Sequence, residues 1–336
     1  MGVWRQEPLG LLNLQTGEYF DAFDLGFTEP TPLNTGPRLA PTNTINADAT
    51  LSTPQVFERN QVNGRIIVPQ SAFGQIRIRD NFVDASGGTY TSQKSVIEIH
   101  PNTGAEVIIE NNNLKGTVGM IGISTRRFVA LRNHIHHVED AFRVSNVNGT
   151  GSALAAQILG NYLDELIMVT PDPYNSRTDN KTHSDVIQVE GGDGLQIIGN
   201  AIRAYITTDG TSNVNWVQNN DPWLPVEPGT ADASPHPQAL SGLMLTKAGG
   251  LADITNLLVR RNWFYGGEVG INGGSSSNAT TTGIIDENRF DRTQWRALHT
   301  IDLDATATGL LTPAIDAADR NRYMDDGTGV NVRRNQ

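Results

Sequence analysis

The sequence contains no cysteine, which excludes disulfide bonds and thiolate metal sites and leaves packing to stabilise the fold. It has no run of 18 apolar residues, and its start, Met1–Pro8, lacks an apolar stretch after a basic segment. These absences predict a chain that neither spans a membrane nor carries a standard secretion signal. The 25 Lys and Arg form no dense cluster and the formal net charge is -11, which disfavours nucleic acid as a partner.

A short repeat dominates the middle of the chain: an apolar or small residue, two variable residues, Asn, one variable residue and an apolar residue. It occurs seven times, at Asn81, Asn112, Asn133, Asn161, Asn200, Asn262 and Asn288. Apolar residues also alternate between the repeats, as at Ile187 and Val189, which is typical of β-strands. Spacings of 21 to 62 residues predict stacked coils with inserted loops. We expect each Asn at a bend, where it can adopt a left-handed conformation and hydrogen-bond to the Asn of the next coil.

Residues 64–292 resemble the pectate-lyase-like superfamily, and the best local match is the segment from His183 to Gln188, followed by a strand and the turn at Gly199 and Asn200. The resemblance implies an all-β fold, a single-stranded right-handed parallel β-helix solenoid. Because the superfamily includes lyases, hydrolases, adhesins and phage tailspikes, the resemblance does not imply one activity.

Three segments are predicted. Residues 1–60 contain six Pro and few strand patterns, so we expect an N-terminal arm or cap. Residues 61–292 form the β-helix, with insertions at 171–182 and 206–239, and residues 293–336 close its other end. The stretch from Asn321 to Val332 resembles the end of minor tail proteins of phages that infect actinobacteria. This likeness implies a location in the virion, with an extracellular location as the alternative.

Aligned coils place Asp140 and Asp185 at equal positions, about 4.8 Å apart, with Glu139, Arg143 and His183 nearby. Paired carboxylates can serve as proton donor and as base or nucleophile in glycoside hydrolysis, or as the base of a lyase. These five residues are therefore the candidate catalytic group. In the alternative interpretation the two Asp side chains accept backbone hydrogen bonds in turns, and His183 packs at a loop end.

Four further residues are candidates for substrate binding: Gln188, Lys247, Trp216 and Trp223. The two Trp residues lie in the insertion 206–239, and indole rings can stack on the apolar faces of sugars. Alternatively, they anchor this loop to the body of the solenoid.

No metal site or cofactor is predicted. His134, His136 and His137 lie close together, but no third ligand at a definite spacing can be named. Calcium is the alternative, since carboxylates such as Asp164 and Glu165 border the insertion 171–182.

The favoured function is a tail protein of the minor tail or tailspike type, whose β-helix contacts a host cell-surface polysaccharide and which assembles with other phage tail proteins. The resemblance to tailspikes also implies a homotrimer. Two alternatives remain open: a polysaccharide-cleaving lyase or glycoside hydrolase on the same fold, and a purely structural tail component.

Overall fold

The computed structural model describes residues 4–7, 10–13, 19–21, 29–88, 90, 92–125, 127–145, 156–169, 182, 184–212, 240–245, 253–273, 281–292, 300–303, 321–325, 327, 329–330 and 332–334. In these residues the fold is all-β. No helix among them is long and apolar enough to cross a membrane. Near the N-terminus, within the predicted arm, a small antiparallel sheet is formed by Trp4–Glu7, Gly10–Asn13 and Tyr19–Asp21.

Three long parallel sheets form the body of the protein. Sheet 1 contains Asn43–Ile45, Asn60–Val62, Phe82–Asp84, Asn113–Lys115, His134–His136, Tyr162–Leu163, Ala201–Ala204, Trp263–Gly266, Arg289–Phe290 and Arg322–Tyr323. Sheet 2 contains Ala49–Thr50, Ile66–Val68, Lys94–Ile99, Met120–Thr125, Asp140–Val144, Asp185–Val189, Ser241–Leu245, Val269–Gly273, Ile301–Leu303 and Val332–Arg334. Sheet 3 contains Gln55–Glu58, Phe73–Arg79, Gly104–Glu110, Val129–Leu131, Gln157–Leu159, Gly192–Asp193, Gln196–Ile198, Ile254–Arg260 and Thr281–Asp286.

The chain visits sheets 1, 2 and 3 in turn, and each circuit is one coil of a parallel β-solenoid. The sheets begin at Asn43, ahead of the predicted boundary at residue 61, and their last strand, Val332–Arg334, lies beyond the predicted boundary at residue 292. The strands of these sheets that lie outside the two predicted boundaries are only two to four residues long. Strands this short show too little alternation to be recognised from the sequence.

Stacked apolar side chains fill the interior. In sheet 2 one column is formed by Ile97, Ile123, Phe142, Ile187, Leu243, Ile271 and Ile301, all fully buried. Full burial of such a side chain contributes about 1.5–3 kcal/mol. Ile197 in sheet 3 is also fully buried, whereas its neighbour Gln196 is partly exposed, as the alternation predicted.

An asparagine ladder lies between sheets 3 and 1, as the repeat predicted. The side-chain amide of each ladder Asn donates to the Oδ1 of the next at 2.9–3.0 Å, and its backbone N–H donates to the same oxygen. The ladder contains Asn60, Asn81, Asn112, Asn133, Asn161, Asn200, Asn262, Asn288 and Asn321, and thus adds one residue at each end of the predicted seven.

In the eight ladder turns where the preceding residue is described, the left-handed residue is the one before the ladder Asn. Positive φ angles of 51–68° occur at Arg59, Asp80, Asn111, Arg132, Gly160, Gly199, Arg261 and Glu287. The expectation that the ladder Asn itself is left-handed is therefore wrong. The preceding residue reverses the chain, so that the Asn can direct both its backbone N–H and its side chain toward the next coil.

Replacing a ladder Asn should destabilise the fold strongly. In Asn133→Leu, the buried backbone N–H of Asn112 loses its acceptor, the side-chain amide of Asn112 loses one of its three, and the carbonyl of Ile109 loses the amide that donates to it. Each unsatisfied buried donor costs about 1–3 kcal/mol, so we expect the free energy of unfolding to fall by at least about 2 kcal/mol in urea titrations. The control is Asn63→Leu, because Asn63 donates to Asn46 in an exposed amide pair. Equal losses in the two variants would contradict the structural role of the ladder.

Candidate functional site

The candidate catalytic Asp residues lie on the outer face of sheet 2. Asp140 and Asp185 begin the neighbouring strands Asp140–Val144 and Asp185–Val189. The residues that follow them, Ala141 and Val186, are fully buried in the core. Each Asp side chain therefore points away from the interior, although the two Asp residues are only 1% and 3% exposed.

The structure brings Asp140 and Asp185 together in adjacent coils, as their alignment predicted. The backbone N–H of Asp185 donates to Oδ1 of Asp140 at 3.1 Å. The hydroxyl of Ser241, one coil further on, donates to Oδ1 of Asp185. Each of these acceptors therefore links its own coil to the next one. Asp140 thus accepts a backbone N–H, as in the alternative interpretation, whereas Asp185 accepts a side-chain hydroxyl; the catalytic role of both residues remains a prediction.

Arg143 lies at the centre of this site. Its Nη2 contacts Oδ2 of Asp140 at 2.6 Å, and its Nη1 donates to Oε1 of Gln93 at 2.6 Å. Burial alone would lower the pKa of Arg143, but the nearby carboxylates of Asp140 and Glu190 raise it above its ordinary value. The guanidinium thus remains a cation that the surrounding acidic groups hold in place.

Hydrogen bonds from neighbouring coils hold the side chain of Glu139 in place. Its side chain accepts the backbone N–H of Gly119 at 2.9 Å and the amide of Gln93 at 3.1 Å. Only 4% of Glu139 is exposed. Gln93 therefore connects Glu139 to Arg143, and these contacts fix the carboxylate against the preceding coil.

Two buried polar atoms of the site have no hydrogen-bond partner within the described part of the chain: Nε of Arg143 and Oε1 of Gln188. Arg143 and Gln188 pair in the register of adjacent strands, so their side chains lie next to each other on the outer face. Oε1 of Glu190 is 3.9 Å from the Arg143 Nε, beyond hydrogen-bond distance. One donor and one acceptor without a partner thus belong to two side chains that are paired in register and shielded from solvent.

The remaining candidates, His183, Lys247, Trp216 and Trp223, lie outside the described residues, and their roles remain predictions. The structure adds Gln93, Glu190 and Ser241 to the site. Alignment of the coils could have found Ser241, which has the same offset as the two Asp residues. Gln93 precedes its strand and Glu190 follows its strand, so neither belongs to a repeated pattern.

Fold and site together define a parallel β-solenoid with a charged and amide-rich strip on the outer face of one sheet. Comparison with known proteins found no family model, no curated protein and no solved structure that matches the chain.

Removal of the Asp140 carboxylate should destabilise the protein. Asp140→Ala leaves the largely buried guanidinium of Arg143 without its closest anion, and we expect a loss of about 2–3 kcal/mol of unfolding free energy. Glu98→Ala is the control on the same face of sheet 2, because Glu98 pairs with Arg65 while 40% of its side chain is exposed. Arg65 is 12% exposed but keeps Asp48 as a second anion at 2.7 Å, so the loss of the partly exposed Glu98 should cost less than about 1 kcal/mol. Equal urea midpoints for the two variants would show that the Asp140–Arg143 pair stabilises the fold no more than the Glu98–Arg65 pair does.

Proposed function

We propose that this protein is a phage tail protein of the minor tail or tailspike type, and that it binds a host cell-surface polysaccharide along the outer face of sheet 2. The proposed fold is a right-handed parallel β-helix of the pectate-lyase-like type. Right-handedness is supported by the rule that crossover connections between parallel strands are right-handed in about 98% of cases. The likeness of the segment from Asn321 to Val332 to minor tail proteins supports the location in a virion.

The observation that carries polysaccharide binding is the adjacent pair of unsatisfied atoms, Arg143 Nε and Gln188 Oε1. An unsatisfied buried polar atom costs about 1–3 kcal/mol. A sugar hydroxyl could accept from the guanidinium and donate to the amide oxygen once the side chains of Arg143 and Gln188 turn outward, because both atoms are shielded from solvent in the unbound protein. The chain has a net charge of -11, which favours a neutral or sparsely charged glycan over an acidic one.

The contacts of the carboxylates favour binding over cleavage. A glycosidase requires one carboxyl group to donate a proton and another to attack the sugar or to activate water, with the substrate between them. Here Asp140 accepts from Arg143 and from the backbone of Asp185, while Asp185 accepts from Ser241. Carboxylates that are held by such contacts are suited to orienting neighbouring donors.

The experiment compares Gln188→Leu with Gln196→Leu. Gln188→Leu removes the unsatisfied acceptor, so we expect binding to immobilised polysaccharide from actinobacterial cell walls to weaken about tenfold, since 1.4 kcal/mol corresponds to tenfold. Gln196 lies on sheet 3, and the same change there should leave the affinity at the parental value. Affinity is measured by biolayer interferometry, and the melting temperature of each variant checks its fold.

Three outcomes would contradict parts of this proposal. Equal affinities in the two Gln variants would remove sheet 2 from the binding surface. New reducing ends or unsaturated products in the same mixtures would favour a hydrolase or a lyase. If the parent protein binds none of a wider panel of bacterial envelope polysaccharides, the purely structural role is favoured. The location in the virion is tested separately, by whether the coding gene lies among phage tail genes.

A further inference from the structure

A second polar cluster lies where the chain turns from sheet 1 to sheet 2, away from the proposed glycan-binding strip. His136 ends the strand His134–His136, and His137 follows it with a left-handed φ of 55°. Glu165, with a φ of 50°, occupies the same corner of the next coil, and its backbone oxygen accepts the N–H of His137 at 2.9 Å. Stacking of the two coils therefore brings the imidazoles of two consecutive residues together with a carboxylate that lies 28 to 29 positions later in the sequence.

Three potential ligand atoms converge at this corner. The Nδ1 atoms of His136 and His137 are 2.7 Å apart. Oε2 of Glu165 is 3.6 Å from Nδ1 of His136 and 3.3 Å from Nδ1 of His137. Each residue thus presents one ligand atom to a common point.

The outer nitrogen of His137 has a carboxylate partner. Its Nε2 lies 2.7 Å from Oδ2 of Asp209, a residue contributed by a further coil. The other oxygen of Asp209 accepts both the backbone N–H and the hydroxyl of Thr211, which orients the carboxylate. Because an ionised carboxylate only accepts hydrogen bonds, the ring proton of His137 belongs on Nε2, and Nδ1 presents a lone pair.

A chain of hydrogen bonds assigns the same tautomer to His136. Asp164 accepts from Nε2 of His134 at 3.0 Å, so Nδ1 of His134 accepts from the amide nitrogen of Asn113 at 3.2 Å. This leaves the amide oxygen of Asn113 to accept from Nε2 of His136 at 3.2 Å. Nδ1 of His136 therefore also carries a lone pair, which is directed at Nδ1 of His137.

Two lone pairs and a carboxylate at one point repel one another unless a cation lies between them. A single proton can bridge only the two Nδ1 atoms, because at 2.7 Å they are at hydrogen-bond distance and Glu165 is further away. A divalent cation can use all three donors. We propose that His136, His137 and Glu165 bind a divalent transition-metal ion of the zinc class, with Asp209 and Asn113 as positioning residues.

The donor set fits this class of ion. Imidazole nitrogen favours zinc, copper, nickel and iron over calcium or magnesium, and carboxylate oxygen is a common third ligand. Ligands about 2.0–2.1 Å from tetrahedral zinc are roughly 3.3–3.4 Å apart, which matches the His137–Glu165 distance of 3.3 Å. The two Nδ1 atoms, at 2.7 Å, must separate by about 0.6–0.7 Å to bind the ion with this geometry.

The second ring nitrogens support the same assignment. Metal-binding His residues commonly donate their other ring N–H to a carboxylate or an amide oxygen, which fixes the ring. Asp209 and Asn113 provide these acceptors for His137 and His136. Half of the Glu165 side chain is exposed, so the fourth position of a bound ion is open to water. The ion would link two consecutive coils at this corner.

The test uses the full chain, treated with EDTA, dialysed and titrated with zinc sulfate in a calorimeter. The parent should bind one zinc ion per chain at this site and melt at a higher temperature with zinc than without it. Glu165→Gln should weaken zinc binding at least about tenfold, because it replaces a charged ligand on a half-exposed side chain. Asp209→Asn should weaken it about 10–100-fold without removing a ligand.

His100→Gln is the matched control, since His100 lies after a strand of sheet 2 and its Nδ1 accepts a local backbone N–H. This variant should bind zinc as the parent does. Circular dichroism in EDTA confirms that each variant is folded. A double variant, His136→Gln with His137→Gln, removes both imidazoles but could fail to fold. Glu165→Gln and Asp209→Asn change exposed carboxylates and should fold, so they test the site in that case.

The proposal is overturned by any of three results: the parent binds no zinc, zinc binding is unchanged in Glu165→Gln and Asp209→Asn, or the folded double His variant retains the same site. A histidine pair that shares a proton and binds no zinc would give the first result. None of these results bears on the affinity for polysaccharide, which is measured with variants on sheet 2.

Discussion

Each ladder asparagine after Asn60 accepts, with a single oxygen, two hydrogen bonds from the asparagine of the preceding coil, one from its backbone and one from its side chain. Its own amide nitrogen donates onward to the next ladder residue and back to a strand carbonyl, as Asn133 does to Asn161 and Ile109. Each coil therefore requires one side chain of this length that can both accept and donate hydrogen bonds. The register of the three sheets therefore depends on a column of identical residues that solvent does not reach.

The fixed register also determines which side chains become neighbours on the surface. Residues from distant parts of the sequence become neighbours only because their coils are stacked without slippage, and a shift by one residue would turn each side chain to the opposite face. Arg143 is next to Gln188 and His137 is next to Glu165 for this reason. Insertions between strands change the spacing in sequence but leave the stacking intact, so coils of unequal length still align their outer faces.

The sequence was sufficient to predict strands in the middle of the solenoid, the ladder and the alignment of Asp140 with Asp185, since all three depend on periodic patterns. It was not sufficient for Gln93 and Glu190, which lie in connections without a repeat, or for Glu165 as a partner of the histidines. The left-handed conformation was also predicted one position too late in the turn. Asn tolerates this conformation, but the hydrogen bonds of the ladder constrain the Asn more strongly. Arg, Asp and Glu adopt it at several corners, where the stacked coils compensate for the strain.

The central claim is that buried asparagine side chains hold the coils in register, and amide hydrogen exchange measured by NMR tests it most directly. The side-chain amide protons of Asn112, Asn133 and Asn161 should exchange at least about a hundredfold more slowly than those of the exposed Asn63, because they become accessible only when coils separate. Equal exchange at the ladder residues and at Asn63 would contradict the account, since it would mean that the ladder opens without unfolding of the solenoid.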